Sequence, residues 1–196
     1  STDTPRWGGL NDFGRQVIRE MNRLRMLVDV SHASDDAVRA VLDVSRRPII
    51  ASHSSCRALC DHPRNLPDDL LRAIATRGGV IGINCYSQFL DQAYHDEMQR
   101  RHQDLGSALG AAVVKPEDLD RVAADRMRTF FSQKLPRPPF ERILEHIDHA
   151  VTVAGVDHVG IGADLDSADL PTPEGFDHVG DYPKIARALV KRGYAE

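Results

Sequence analysis

Two histidines, His32 and His53, each stand directly after a short apolar run, in Met26-Leu-Val-Asp-Val-Ser-His32 and Pro48-Ile-Ile-Ala-Ser-His53. A third such run, Val80-Ile-Gly-Ile-Asn84, ends in an amide, and a fourth, His158-Val-Gly-Ile-Gly162, leads into Asp164-Leu-Asp166. In parallel α/β proteins the working groups sit at the carboxyl ends of the strands. Two imidazoles and a carboxylate meeting at one such mouth suit zinc or a similar divalent metal. A lone histidine after a strand is more often structural, and an aspartate there often forms a turn. Two histidines at equivalent strand ends shift the balance toward a metal. Arg64, on the loop after the second run, adds a guanidinium that can grip a carboxylate at two points; an ordinary surface arginine is the alternative.

Other polar residues are weaker candidates. His146 and His149 share a helix without an H-E-x-x-H pattern. His95, His102 and His178 lie in polar stretches and are expected to be solvated. Gly160-Ile-Gly162 is no G-x-G-x-x-G phosphate loop, and glycines packing within a strand are expected instead. No G-x-S-x-G elbow frames Ser54 or Ser55, so their hydroxyls are read as supporting a nearby ligand. Cys56 and Cys60 are spaced to face each other on a helix, with free thiols the simpler expectation.

These residues need a scaffold. Each apolar run is short, rich in Val and Ile and nearly continuous, as strands of a parallel sheet read. Helical patterns separate them: Phe13 to Leu24, a segment after Ser34 as N-cap, Pro67 to Ala75, Phe140 to Ala154 before Gly155, and Tyr182 to Lys191 before Gly193. Strands alternating with helices imply βαβ units. A closed eight-stranded barrel needs at least about 200 residues. The four strands expected here therefore describe half a (β/α)8 barrel or an open α/β sheet, as a single domain over residues 1–196. Residues 90–139 are expected to form a polar, mostly helical insertion, with Lys134-Leu-Pro-Arg-Pro-Pro139 a stiff linker.

Composition narrows the function. Hydrophobic residues make up 41% and charged residues 28% of the chain, the balance of a folded globular protein. A net charge of -4 argues against a nucleic-acid partner. No apolar run is long enough to span a membrane, and no leader pattern is visible, so a cytoplasmic location is favoured. Three cysteines are too few for a disulfide scaffold.

Several blocks resemble the renal-type membrane dipeptidase family (peptidase family M19). They are Phe13-Gly14 with Glu20-Met-Asn-Arg-Leu24, Val28-Asp-Val-Ser-His32, Pro48-Ile-Ile-Ala-Ser-His-Ser-Ser55, Arg64-Asn-Leu-Pro-Asp-Asp69, Val156-Asp-His-Val-Gly-Ile-Gly-Ala-Asp-Leu-Asp166, Pro173-Glu-Gly175 and Tyr182-Pro183. They occur in the family's order and leave out only about residues 90–139. The resemblance implies an eight-stranded barrel with two zinc ions that hydrolyses dipeptides, some with a D-residue on the C-terminal side. It implies His32 and His53 as ligands of one zinc, Arg64 as the group that binds the substrate carboxylate, and Asp164 as the group that meets the substrate ammonium and handles a proton.

The departures shape what is expected of this chain. The family's His-x-Asp pair, its metal-bridging Glu and a further substrate histidine lie upstream of the matched blocks. Gly162-Ala-Asp-Leu-Asp-Ser167 stands for the usual Gly-Ser-Asp-Phe-Asp-Gly, and Arg25 stands where glycine is common. The expectation is the C-terminal half of a zinc dipeptidase with an incomplete site. Its rival is an inactive half-barrel that binds a ligand or partner without turnover. An amidohydrolase-like barrel with another amide substrate is a second rival, disfavoured by Arg64. An open half-barrel also exposes sheet edges, which favours pairing into a homo-oligomer.

Overall fold

The computed structural model describes residues 7–110, 135–165 and 171–195. The elements run α1 (Asp12–Arg23), β1 (Val28–Asp29), α2 (Asp35–Val44), β2 (Ile49–Ala51), α3 (Asp68–Thr76), β3 (Val80–Ile83), α4 (Ser87–Leu90), α5 (Gln92–Gly110), α6 (Glu141–Ala154), β4 (Val159–Ile161) and α7 (Tyr182–Lys191). The four expected strands form, each shorter than its apolar run. Ser34 does cap α2, its side chain accepting from the Ala37 N–H. Gly155 ends α6 at a φ of 93°, a backbone setting that favours glycine.

The sheet settles a choice the sequence left open. Its strands are parallel and lie in the order β1-β2-β3-β4. A doubly wound sheet reverses its strand order; this one only advances. Right-handed crossovers that always advance place every helix on the same face. The helices accordingly pack as one row, α1 on α2, α2 on α3, α3 on α6 and α6 on α7. This is the wall of a TIM-type barrel.

The core lies between sheet and helices. Val28, Ile49, Ala51, Ile81 and Ile83 meet Val38, Leu70, Leu71, Ile74, Ile143, Ile147 and Ile185, all buried. The other set of strand side chains, one residue out of phase, faces the opposite side. There Asp29 is exposed, while Ile50 and Val80 are only half-buried. The strand ends on that open side carry the candidate site.

Of the segment 90–139 read as a polar, mostly helical insertion, residues 92–110 form the helix α5. The segment's 111–134 part and Asp166 lie outside the described residues. Cys56 and Cys60 do not share a helix: Cys56 pairs with Leu66 in an isolated bridge, and the chain turns between them. All three cysteines are free and buried, and burial pushes their thiols up to about 12, so they stay protonated and inert. Among the described residues no helix is long and apolar enough to cross a membrane.

Candidate metal and substrate site

The site starts at the carboxyl end of β1. Asp29 Oδ1 accepts hydrogen bonds from the Ser31 N–H (2.9 Å) and the Ser52 N–H (3.1 Å). Asp29 Oδ2 accepts from the Ser52 hydroxyl. Partial burial works to raise the Asp29 carboxyl, but these donors and the charge of His53 outweigh it and hold the group below the usual carboxylate range. Ser31 Oγ in turn accepts the His53 N–H at 2.9 Å. The ends of β1 and β2 are therefore stitched together at the level of the two histidines.

His32 and His53 come face to edge, with ring centroids 5.0 Å apart and planes inclined by 65°. His32 is held in the left-handed region at a φ of 70°, where a β-carbon is unfavourable. Burial lowers the pKa of His32, and the charges of Arg64 and His53 lower it further, against smaller opposing effects from Asp164 and Asp29. The four candidate residues thus share one electrostatic neighbourhood. His53 Nδ1 lies 2.7 Å from Ser52 Oγ.

Two glycines let His53 reach its place. The Ser52 carbonyl lies over the backbone of both Gly82 on β3 and Gly162 after β4. A β-carbon on Gly82 would come within 2.1 Å of that oxygen, and one on Gly162 within 1.7 Å. The small residues in His158-Val-Gly-Ile-Gly162 thus make room for the chain carrying His53. Gly160 has no such role, since a β-carbon there would meet only Val80, at 3.8 Å.

The ends of β3 and β4 are tied in the same way. Asn84 is fully buried; its Oδ1 accepts the Tyr86 N–H at 2.6 Å and its Nδ2 approaches Asp164 Oδ2 at 3.4 Å. Asp164 has a φ of 60°. Ser55 Oγ donates to the Asn84 carbonyl at 3.2 Å, and Ser54 Oγ is 3.5 Å from Ser31 Oγ. Both serines are buried and brace the loop.

Arg64 sits on a fastened loop rather than a loose surface turn. Its guanidinium carbon is 5.3 Å from the centre of the Phe89 ring, and its Nε and Nη2 atoms are shielded from solvent. Asn65 is fully buried, donates to the carbonyls of Cys60 (2.8 Å) and Phe89 (2.7 Å), and accepts from the Ser55 N–H. Arg57 pairs with Asp35 and donates to the Asn65 carbonyl at 2.6 Å. The loop carrying His32 and the loop carrying Arg64 are thereby linked.

Of the weaker histidines, His102 and His178 are exposed as expected. His95 is not solvated: it is 7% exposed, with its ring 4.8 Å from that of His62. His146 is a satisfied core residue; its Nδ1 accepts the Cys56 N–H and its Nε2 donates to the Leu90 carbonyl, each at 3.0 Å. Sequence reasoning gave no role to Asp29, Ser52, Arg57 or Asn65. Their one visible signal is a run of polar residues beside each candidate ligand.

Among the described residues, no three or more His, Cys, Asp or Glu side chains gather closely enough to hold a metal ion. The donor types nonetheless suit one, since paired imidazoles match zinc and related ions.

The family model for membrane dipeptidase (peptidase family M19) matches residues 1–196. "Dipeptidase verJ" of Clonostachys rogersoniana is 32% identical over 98% of this chain, and the match takes in 38% of that protein. A metallo peptidase from Rhodobacter sphaeroides, solved with a phosphinate mimic of the dipeptide L-Ala-D-Ala, has a TM-score of 0.71 at 28% identity. It covers 100% of this chain and 44% of its own. The probable dipeptidase PvdM from Pseudomonas aeruginosa has a TM-score of 0.79 at 28% identity, covering 99% of this chain and 52% of its own. The chain thus spans between about a third and a half of the length of these relatives. It belongs to the membrane dipeptidase family, peptidase family M19.

Proposed function

We propose that these residues are the part of a zinc-dependent dipeptidase that carries one metal's two imidazole ligands and the groups that hold the dipeptide's two ends. The observation behind this reading is the convergence of His32 and His53, 5.0 Å apart, with Arg64 and Asp164 in the same field. His32 and His53 would hold the ion. When bound, a binuclear zinc site supplies Lewis acidity toward the scissile carbonyl and acidifies water.

The chain's own residues do the rest. Arg64 neutralises the substrate carboxylate and fixes its pose, which limits substrates to short peptides because a longer C-terminal extension would leave the guanidinium unpaired. Asp164, steadied by Asn84, faces the ammonium end and takes or returns a proton at its carboxylate. The L-Ala-D-Ala mimic held by the Rhodobacter sphaeroides relative supports dipeptides, including those with a C-terminal D-residue, as the substrate class.

Catalytic zinc generally has three protein ligands. With only two imidazoles gathered among the described residues, the remaining ligands are assigned to segments outside them. That same observation supports the rival reading, a half-barrel that binds without turnover. Metal per chain, measured after dialysis against metal-free buffer, separates the two. About two zinc ions per chain, with hydrolysis of dipeptides, supports the enzyme; near zero supports the inactive half-barrel.

A further inference from the structure

The hydrogen bonds around His53 determine more than its position. An ionised carboxylate has only acceptors, and a serine hydroxyl has one hydrogen. Asp29 Oδ1 is already taken by the N–H groups of Ser31 and Ser52. Asp29 Oδ2 lies against Ser52 Oγ, so the hydroxyl hydrogen points to Asp29. The other close contact of Ser52 Oγ is His53 Nδ1, at 2.7 Å; Ser31 Oγ is farther, at 3.4 Å. With its hydrogen committed, Ser52 Oγ can only accept from His53, so Nδ1 must carry the proton. A neutral imidazole with Nδ1–H has its lone pair on Nε2.

We infer that Asp29 and Ser52 are positioning residues that lock His53 in the Nδ1–H tautomer, so that Nε2 alone is free to bind metal. The relay is the serine-bridged counterpart of the carboxylate–histidine pair that orients metal-binding imidazoles. Ser52 is well placed for it, since its backbone is held by Asp29 on one side and seated on Gly82 and Gly162 on the other. Among the described residues His32 has no such partner on its ring nitrogens; its aim comes from its left-handed backbone. The value of the locked tautomer for metal binding rests on the function proposed above, but the tautomer itself does not.

An isosteric change tests this. In Asp29→Asn the amide oxygen can still accept the two backbone N–H groups, which leaves the amide N–H₂ facing Ser52. Ser52 Oγ then accepts from Asn, and its freed hydrogen can turn to His53 Nδ1, its nearest remaining acceptor. The imidazole flips to the Nε2–H tautomer and loses the lone pair a metal needs. The measurement is the ¹⁵N spectrum of the imidazoles in metal-free protein, at a pH where free imidazole is neutral. The His53 signals are assigned by their loss in His53→Gln.

The expected result is a pyrrole-type Nδ1 in the wild type and a pyridine-type Nδ1 in Asp29→Asn, with Ser52→Thr keeping the wild-type pattern. Zinc affinity, measured by competition with a chromophoric chelator, should fall by about 10- to 100-fold in Asp29→Asn and in Ser52→Ala. A wild-type His53 with Nε2–H overturns the inference without any variant, as does an unchanged tautomer in Asp29→Asn. If the wild type shows the Nδ1–H tautomer yet binds no zinc, the metal reading of the site falls and the tautomer lock stands.

Discussion

Gly162→Ala is the sharpest test of how the fold places His53. The added β-carbon would lie 1.7 Å from the Ser52 carbonyl oxygen, 2.8 Å from the Ser52 carbonyl carbon and 3.3 Å from His53 Cα. Real β-carbons essentially never come within 3.0 Å, so the oxygen and the β-carbon must separate by about 1.3 Å. Neither side can yield freely. The Ser52 N–H is held by Asp29, the His53 N–H by Ser31, and the Ser54 N–H by the Gly82 carbonyl at 2.8 Å. On the other side, the Gly162 N–H is held by the Ile83 carbonyl at 3.0 Å. Whichever backbone moves, His53 shifts relative to the end of β4.

Overpacking of this kind costs about 1–3 kcal/mol of stability. A displacement of about 1 Å at a catalytic constellation costs up to about 100-fold in rate. The natural control is Gly160→Ala, two residues earlier on the same face, where the new β-carbon meets only Val80 Cγ1 at 3.8 Å. Urea unfolding, zinc competition and dipeptide hydrolysis on the two variants give the comparison. Gly162→Ala should lose stability and zinc affinity, while Gly160→Ala keeps both near wild type. Equal behaviour of the two variants would refute the claim that Gly162 exists to admit the chain carrying His53.

The remaining predictions concern three other residues. Arg64→Ala in protein that turns over dipeptides should lower kcat/KM by roughly 10- to 100-fold, the loss of a charged hydrogen bond worth about 1.5–3 kcal/mol, chiefly through KM. Its zinc affinity should be unchanged, and unchanged dipeptide kinetics would remove the arginine from substrate binding. Burial lowers the His146 pKa from 6.5 to about 4, so the unfolded chain takes up this proton first and stability falls as pH drops from 6.5 towards 4. The loss should approach about 3 kcal/mol relative to His146→Gln in urea titrations across that range, and parallel pH profiles would contradict it. Arg25→Gly should stabilise the fold by about 1 kcal/mol, seen as a higher urea midpoint, because Arg25 sits at a φ of 60° in the glycine position after α1.

Arg25 also shows what a sequence can and cannot reveal. The family resemblance marked position 25 as one where glycine is common, but gave no reason. The structure supplies the reason: the Met26 N–H bonds to the Met21 carbonyl and the Arg25 N–H to the Asn22 carbonyl, the helix-ending arrangement that needs a left-handed residue. The strands and the flanking helices were legible because continuous apolar runs and 3.6-residue periods are local patterns. The choice between barrel wall and open sheet was not, because it depends on which strands become neighbours. His32, His53, Arg64 and Asp164 stood out by residue type beside a strand end. Asp29 did not, because its meaning depends on Ser52, 23 residues later. The core role of His146 was hidden for the same reason, its backbone partners being 90 and 56 residues away.

The four strand ends are aimed by two different physical means. His53 and Asn84 end β2 and β3, which have a strand on either side, and both are held by hydrogen bonds from neighbouring strand ends. His32 and Asp164 follow β1 and β4, the outer strands of the described sheet, and both have left-handed backbones, at φ of 70° and 60°. A left-handed backbone turns the side chain out of the direction the strand would give it, so the kink itself aims the group. Such a kink costs a non-glycine residue about 1–2 kcal/mol. Aspartate tolerates it comparatively well because its short polar side chain can bond locally, but histidine has less such relief. A strand end selected only for stability would carry glycine or asparagine at position 32. The strain at His32 therefore supports the role proposed for it on grounds independent of the resemblance to any relative.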